Sequence, residues 1–94
     1  MRDDEFEWHD PKAARNLREH GVSFETARRV FQDTSFIELE DDRDDYKETR
    51  YIVLGRIGIL VFCVVYTPRN GRKRIISARK AEKDEEEEYY GNLI

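Results

Sequence analysis

The chain is poor in the features by which small proteins most often declare themselves. Its one cysteine, Cys63, cannot form an internal disulfide, and its place inside an apolar run suits a small hydrophobe in a reducing, cytoplasmic compartment. Two histidines beside that cysteine, none at zinc-ligand spacing, predict no metal site, and no cofactor is expected. The longest apolar run, residues 57–66, is broken by Gly58 and falls far short of the roughly 20 residues that cross a bilayer, so no membrane partner is expected. The N-terminus, Met1-Arg2-Asp3-Asp4-Glu5, is acidic and lacks the apolar stretch of a secretory signal. Glycine-rich phosphate loops, serine-centred nucleophile elbows and helical histidine pairs are missing as well. There is no internal repeat and no linker, so residues 1–94 read as a single domain.

The most informative absence is local. The chain carries 17 Lys+Arg against 21 Asp+Glu, and an average of −4 with a pI near 5.2 argues against a nucleic-acid partner. Yet residues 49–81 contain no Asp or Glu at all and eight basic side chains: Arg50, Arg56, Arg69, Arg72, Lys73, Arg74, Arg79 and Lys80. This +8 segment lies between an N-terminal part at −7 and a C-terminal part at −5, and such asymmetry points to an interaction. The flanking acids, residues 41–45 and 85–88, are candidates to fold against the basic segment and compete with its partner.

The hydrophobic periods predict an α+β domain. Asp10 as N-cap, Pro11 at the first helical position and Gly21 as the stop predict a helix over 10–20. Ser23 as N-cap, with Phe24, Ala27, Val30 and Phe31 at helical spacing, predicts a second helix ended by Asp33-Thr34-Ser35. The period then changes to two. Strands are predicted at 36–39, 50–54, 59–66 and 72–79, with an acidic loop at 40–45, a turn at 55–58 and a hairpin turn at Asn70-Gly71. Phe6-Glu7-Trp8 reads as a short strand or an anchored lead-in. Residues 80–90 have helix-forming composition, with Ala81 and Tyr89 on one face. Their consecutive glutamates repel, so this helix is expected only with something basic beside it. The sum is two N-terminal helices, an antiparallel sheet of about four strands and a C-terminal helix.

Strict alternation along 72–79 puts Arg72, Arg74, Ile76 and Ala78 on one face and Lys73, Ile75, Ser77 and Arg79 on the other, so neither face is cleanly apolar. Guanidinium groups bind phosphate bidentately and stay charged at any working pH, which suits a phosphodiester. Arg50 and Arg69 are candidates for the same surface; a solvated face of paired charges is the plainer reading of any one arginine. His20 is a candidate general acid or base, although a histidine closing a helix also caps it. Lys12 is misplaced against the helix dipole, a weak functional signal. Trp8 is either a core anchor or a base-stacking platform. RNA carries its own nucleophile, the 2′-hydroxyl, so a protein need supply only proton transfer, orientation and positive charge. The rival is a non-catalytic module whose basic sheet docks an acidic protein partner.

Trp8, Lys12-Ala13, Asn16, the block His20-Gly21-Val22-Ser23-Phe24, Ala27, Phe31, Arg50 and the block Arg74-Ile75-Ile76-Ser77-Ala78-Arg79-Lys80-Ala81 resemble the pattern of BrnT-type toxins over roughly residues 6–90. One position departs: His9 stands where the family commonly has Asp. The resemblance implies a RelE-like fold and a type II toxin–antitoxin ribonuclease that arrests translation. It further implies a ribbon-helix-helix antitoxin (BrnA-type) as partner, with DNA bound only through that antitoxin. By the same resemblance, Arg50, Arg74, Arg79, Lys12 and His20 would serve catalysis, without the acid and the base being distinguished. Trp8, Arg69, Arg72, Lys73 and Lys80 would bind RNA.

Overall fold

The computed structural model describes residues 1–43 and 47–93; the predicted loop at 40–45 lies partly outside them. The first helix, α1 (Asp10–His20), stops at Gly21, whose left-handed φ of 70° lets its N–H reach the Leu17 carbonyl at 2.9 Å. Its start is one residue earlier than predicted. The first helical bond runs from Ala13 N–H to the His9 carbonyl, so His9 is the N-cap, without a side-chain capping bond, and Asp10 is the first helical residue. Pro11 still falls in the first turn, where its missing N–H costs nothing. Ser23 caps α2 (Phe24–Ala27), its hydroxyl accepting from Thr26 N–H at 3.0 Å, and the chain tightens into a 3₁₀ helix at Arg28–Gln32.

Among the described residues the sheet has five strands rather than about four. β2 (Ile37–Glu40), β3 (Tyr51–Ile57), β4 (Leu60–Arg69) and β5 (Arg72–Lys80) form an antiparallel meander, and β1 (Phe6–Glu7) adds a short parallel strand on β5. The spatial order is β1-β5-β4-β3-β2. Two residues are too few to show a period, which is why β1 was ambiguous in the sequence. The turn predicted at 55–58 begins later, at Gly58 (φ 62°), and Gly55 lies inside β3. Val30 of the 3₁₀ helix occupies the space that a Cβ at 55 would need. Asn70 (φ 53°) and Gly71 (φ 77°) make the predicted β4–β5 hairpin, both in the left-handed region that a type I′ turn requires.

One face of the sheet carries the main core. Phe6, Trp8, Val22, Phe24, Ala27 and Val30 pack there against Val53, Val64, Ile75 and Ala78. On the opposite face α3 (Lys83–Gly91) covers Leu54, Val61 and Cys63 through buried Tyr89, with Ala81 alongside. The basic partner expected beside this helix is Arg79, which meets Glu85, while Glu82 and Glu85 form a capping box. α1 lies along the edge of β5 beyond the short pairing with β1. The Asn16 amide donates to the Ala78 carbonyl (2.8 Å) and the Val22 carbonyl (2.9 Å) and accepts from Ala78 N–H (3.2 Å), so it substitutes for a neighbouring strand. No helix among the described residues is long and apolar enough to cross a membrane.

Candidate active site

An irregularity in β5 decides which basic residues share a surface. Val65 pairs with Ser77 and Tyr66 with Ile75, so Ile76 is an extra residue in the ladder. Such a bulge resets the alternation. Ile75 and Ala78, three apart, therefore both enter the main core, and Arg74, Ser77 and Arg79 share the opposite face. Strict alternation had separated Arg74 from Arg79; the bulge reunites them. It also sends Lys73 and Lys80 to the core side.

Arg74 is opposite Thr67, and the β3–β4 register places Arg50 just beyond the Tyr51–Tyr66 pair, across from Thr67 on its other side. Two strand spacings put the backbones of Arg50 and Arg74 roughly 10 Å apart. Thr67 is buried, its hydroxyl donating to the Thr49 carbonyl at 2.6 Å. From the sheet edge Lys12 joins them. Burial, and then the charges of Arg50, Arg15 and Arg74, hold its ammonium below the ordinary lysine value, with Glu48 opposing. A hollow of about 120 Å³ lies beside this cluster, lined by Lys12, Arg15, His20 and Ser77 among others. His20 ends α1 as expected, yet its ring makes no hydrogen bond to the helix carbonyls among the described residues.

Carboxylates hold these cations in place. Glu7 Oε2 accepts from Arg74 Nη1 at 2.6 Å, and Glu48 accepts from Arg50 Nε at 3.1 Å and lies 3.5 Å from Arg69 Nη2. Glu85 accepts from both Arg79 terminal nitrogens, at 2.7 and 2.9 Å, which holds the Glu85 carboxyl low and the Arg79 guanidinium firmly charged. Burial raises the neighbouring Cys63 thiol to about 11, which keeps it out of nucleophilic chemistry at neutral pH.

The remaining candidates lie elsewhere. Trp8 is 8% exposed and packs edge-on against Phe24 in the core, the anchor role rather than an open platform. Lys73 Nζ lies over the rings of Phe31 (5.2 Å) and Tyr66 (5.9 Å) on the core side. Lys80 borders a separate hollow with Leu17, Val22 and Phe62. Arg72 Nε donates to the Asp3 carbonyl at 2.6 Å and fastens the N-terminal segment. Of the flanking acids, Glu85 does meet the basic sheet, Asp41 is bound by Arg43, and residues 44 and 45 lie outside the described residues. Sequence reasoning passed over Arg15, Glu7 and Glu48. The helical spacing of Lys12 and Arg15 could have revealed the first; nothing local marks the two acids.

The family model described as "Ribonuclease toxin, BrnT, of type II toxin-antitoxin system" matches residues 8–85. The chain belongs to the BrnT family. That match spans α1, the whole antiparallel meander and the first residues of α3, so it covers Lys12, His20, Arg50, Arg74 and Arg79. No curated protein matches the chain. Membership in BrnT makes it a ribonuclease toxin of a type II toxin–antitoxin pair, with RNA as its target and an antitoxin as its partner.

Proposed function

We propose that this BrnT-family chain is a cytoplasmic, metal-independent endoribonuclease that arrests translation by cleaving mRNA on the face bearing Lys12, Arg50 and Arg74. The observation that carries this reading is the convergence of Lys12, Arg15, Arg50 and Arg74 on one face, with burial and these charges lowering the Lys12 ammonium. A lysine that yields its proton more readily than usual, next to guanidinium groups of fixed charge, suits general acid catalysis at a phosphodiester. Arg50 and Arg74 bind the scissile phosphate, and Arg79 extends the cationic surface. The RNA 2′-oxygen loses its proton to His20 and attacks phosphorus. The bond from phosphorus to the 5′-oxygen then breaks, Lys12 protonates that oxygen, and a 2′,3′-cyclic phosphate remains. Arg69, at the hairpin end of the sheet, would meet flanking phosphates. The resemblance to BrnT-type toxins further supports a ribbon-helix-helix antitoxin that covers this face and carries the pair to DNA.

Purified protein incubated with RNA in EDTA is expected to give fragments ending in 2′,3′-cyclic phosphate. RNA left intact, with and without ribosomes, would overturn the metal-independent nuclease and leave the basic face as a docking surface for an acidic protein.

A further inference from the structure

The two arginines on the bulged strand are held by carboxylates in different ways. Arg79 gives both terminal nitrogens to Glu85, whereas Arg74 gives only Nη1 to Glu7. Its other nitrogens have no protein partner among the described residues. Glu7 is itself 7% exposed and lies between Phe6 and Trp8, whose side chains enter the main core on the other face of the sheet. Those two anchors, with the parallel pairing of Glu7 to Arg74, fix the direction of the carboxylate. A buried carboxylate on a surface meant for phosphate costs binding, because it repels the substrate and must be desolvated. Its compensation is orientation: one nitrogen is pinned, and the rest of the fork belongs to a side chain that is 26% exposed.

From this geometry we infer that Glu7 is a positioning residue for RNA cleavage, acting through Arg74. The inference rests on the assignment of Arg74 as a phosphate ligand. Glu7 lies just ahead of the segment matched by the family model. Positioning and plain electrostatics differ in sign. Removing an acid from a cationic surface should tighten RNA binding, while releasing Arg74 should slow the chemical step.

The test measures kcat and KM for RNA cleavage in Glu7→Ala, Glu7→Asp, Glu7→Gln, Arg74→Ala and the double variant Glu7→Ala/Arg74→Ala. Glu7→Asp keeps the charge but withdraws it by one methylene, and it serves should Glu7→Ala fail to fold. The expected result is a fall in kcat of about tenfold or more in the Ala and Asp variants, with KM unchanged or lower. Glu7→Gln, which keeps an acceptor oxygen, should stay within about threefold of the parent. In the Arg74→Ala background Glu7→Ala should have no further effect on kcat. Parent-like kcat in both Glu7→Ala and Glu7→Asp, or an equal loss with and without Arg74, overturns the positioning role and leaves the site assignment standing. Parent-like cleavage by Arg74→Ala overturns both.

Discussion

A Cβ at residue 55 would sit 2.7 Å from the Cβ of Val30 and 3.0 Å from its carbonyl oxygen. Both atoms are fixed to the 3₁₀ helix, so neither can retreat as the end of a long side chain would. Gly55→Ala should therefore cost about 1–3 kcal/mol, seen as a lower urea midpoint at constant slope. An unchanged midpoint would show that the helix shifts freely on the sheet. Lys12 is the corresponding position for the proposed chemistry. Its pKa is lowered by burial and then by three arginines, and the proposed general acid is active while protonated. The rate should fall as pH rises through a value below the ordinary lysine range of about 10.4. Lys12→Arg keeps the charge but cannot release its proton, so that limb should vanish and kcat drop about 10²–10⁴-fold with RNA binding retained. An arginine variant that cleaves normally would remove Lys12 from the proton path.

At the scale of elements, α3 both completes the fold and occupies the cationic face. Tyr89 buries its ring against Leu54, Val61 and Cys63, and its hydroxyl donates to Asp33 at 2.5 Å. Glu85, one turn into the same helix, engages Arg79. An RNA phosphate reaching Arg79 must displace that carboxylate. Glu85→Gln should then tighten RNA binding severalfold and steepen the salt dependence by about 0.7, one more phosphate neutralised. If affinity and slope stay put, Arg79 is not a contact for RNA. Elements with local chemistry were legible in the sequence: Gly21 ends α1, Ser23 caps α2, and Asn70-Gly71 turns the hairpin at the expected place. What escaped depended on partners distant in sequence. Gly55 reads as a turn unless Val30 is known to press on it. Ile76 looks like any strand residue until the ladder shows it unpaired, and that extra residue decides whether Arg74 and Arg79 share a face. Glu7 joins the candidate site only through a strand pairing across 67 positions.

For the molecule as a whole, the charge asymmetry makes stability depend on a few well-placed acids. Glu85 is held low first by the hydrogen bonds from Arg79, working against partial burial. Burial alone would raise the Asp33 carboxyl, but hydrogen bonds from the Tyr89 hydroxyl and from the Arg56 and Ser35 amides outweigh it. Asp3 is lowered by the amides of Phe6 and Glu5 and by Arg28. In each case the folded pKa lies below the unfolded one, so the folded chain binds fewer protons. Stability from these groups is therefore complete above the unfolded carboxylate values of about 4 and is lost as pH falls through the lower folded values. Two of the three also tie α3 to the body: Asp33 through Tyr89 and Glu85 through Arg79. The melting temperature should form a plateau above about pH 5 and decline steeply below about pH 4. Asp33→Asn, which cannot titrate, should start from a lower plateau and lose less on acidification. A parent curve that stays flat to about pH 2 would show that these acids carry no pH-dependent stability, and an Asp33→Asn curve parallel to the parent's would assign the acid response to groups other than Asp33.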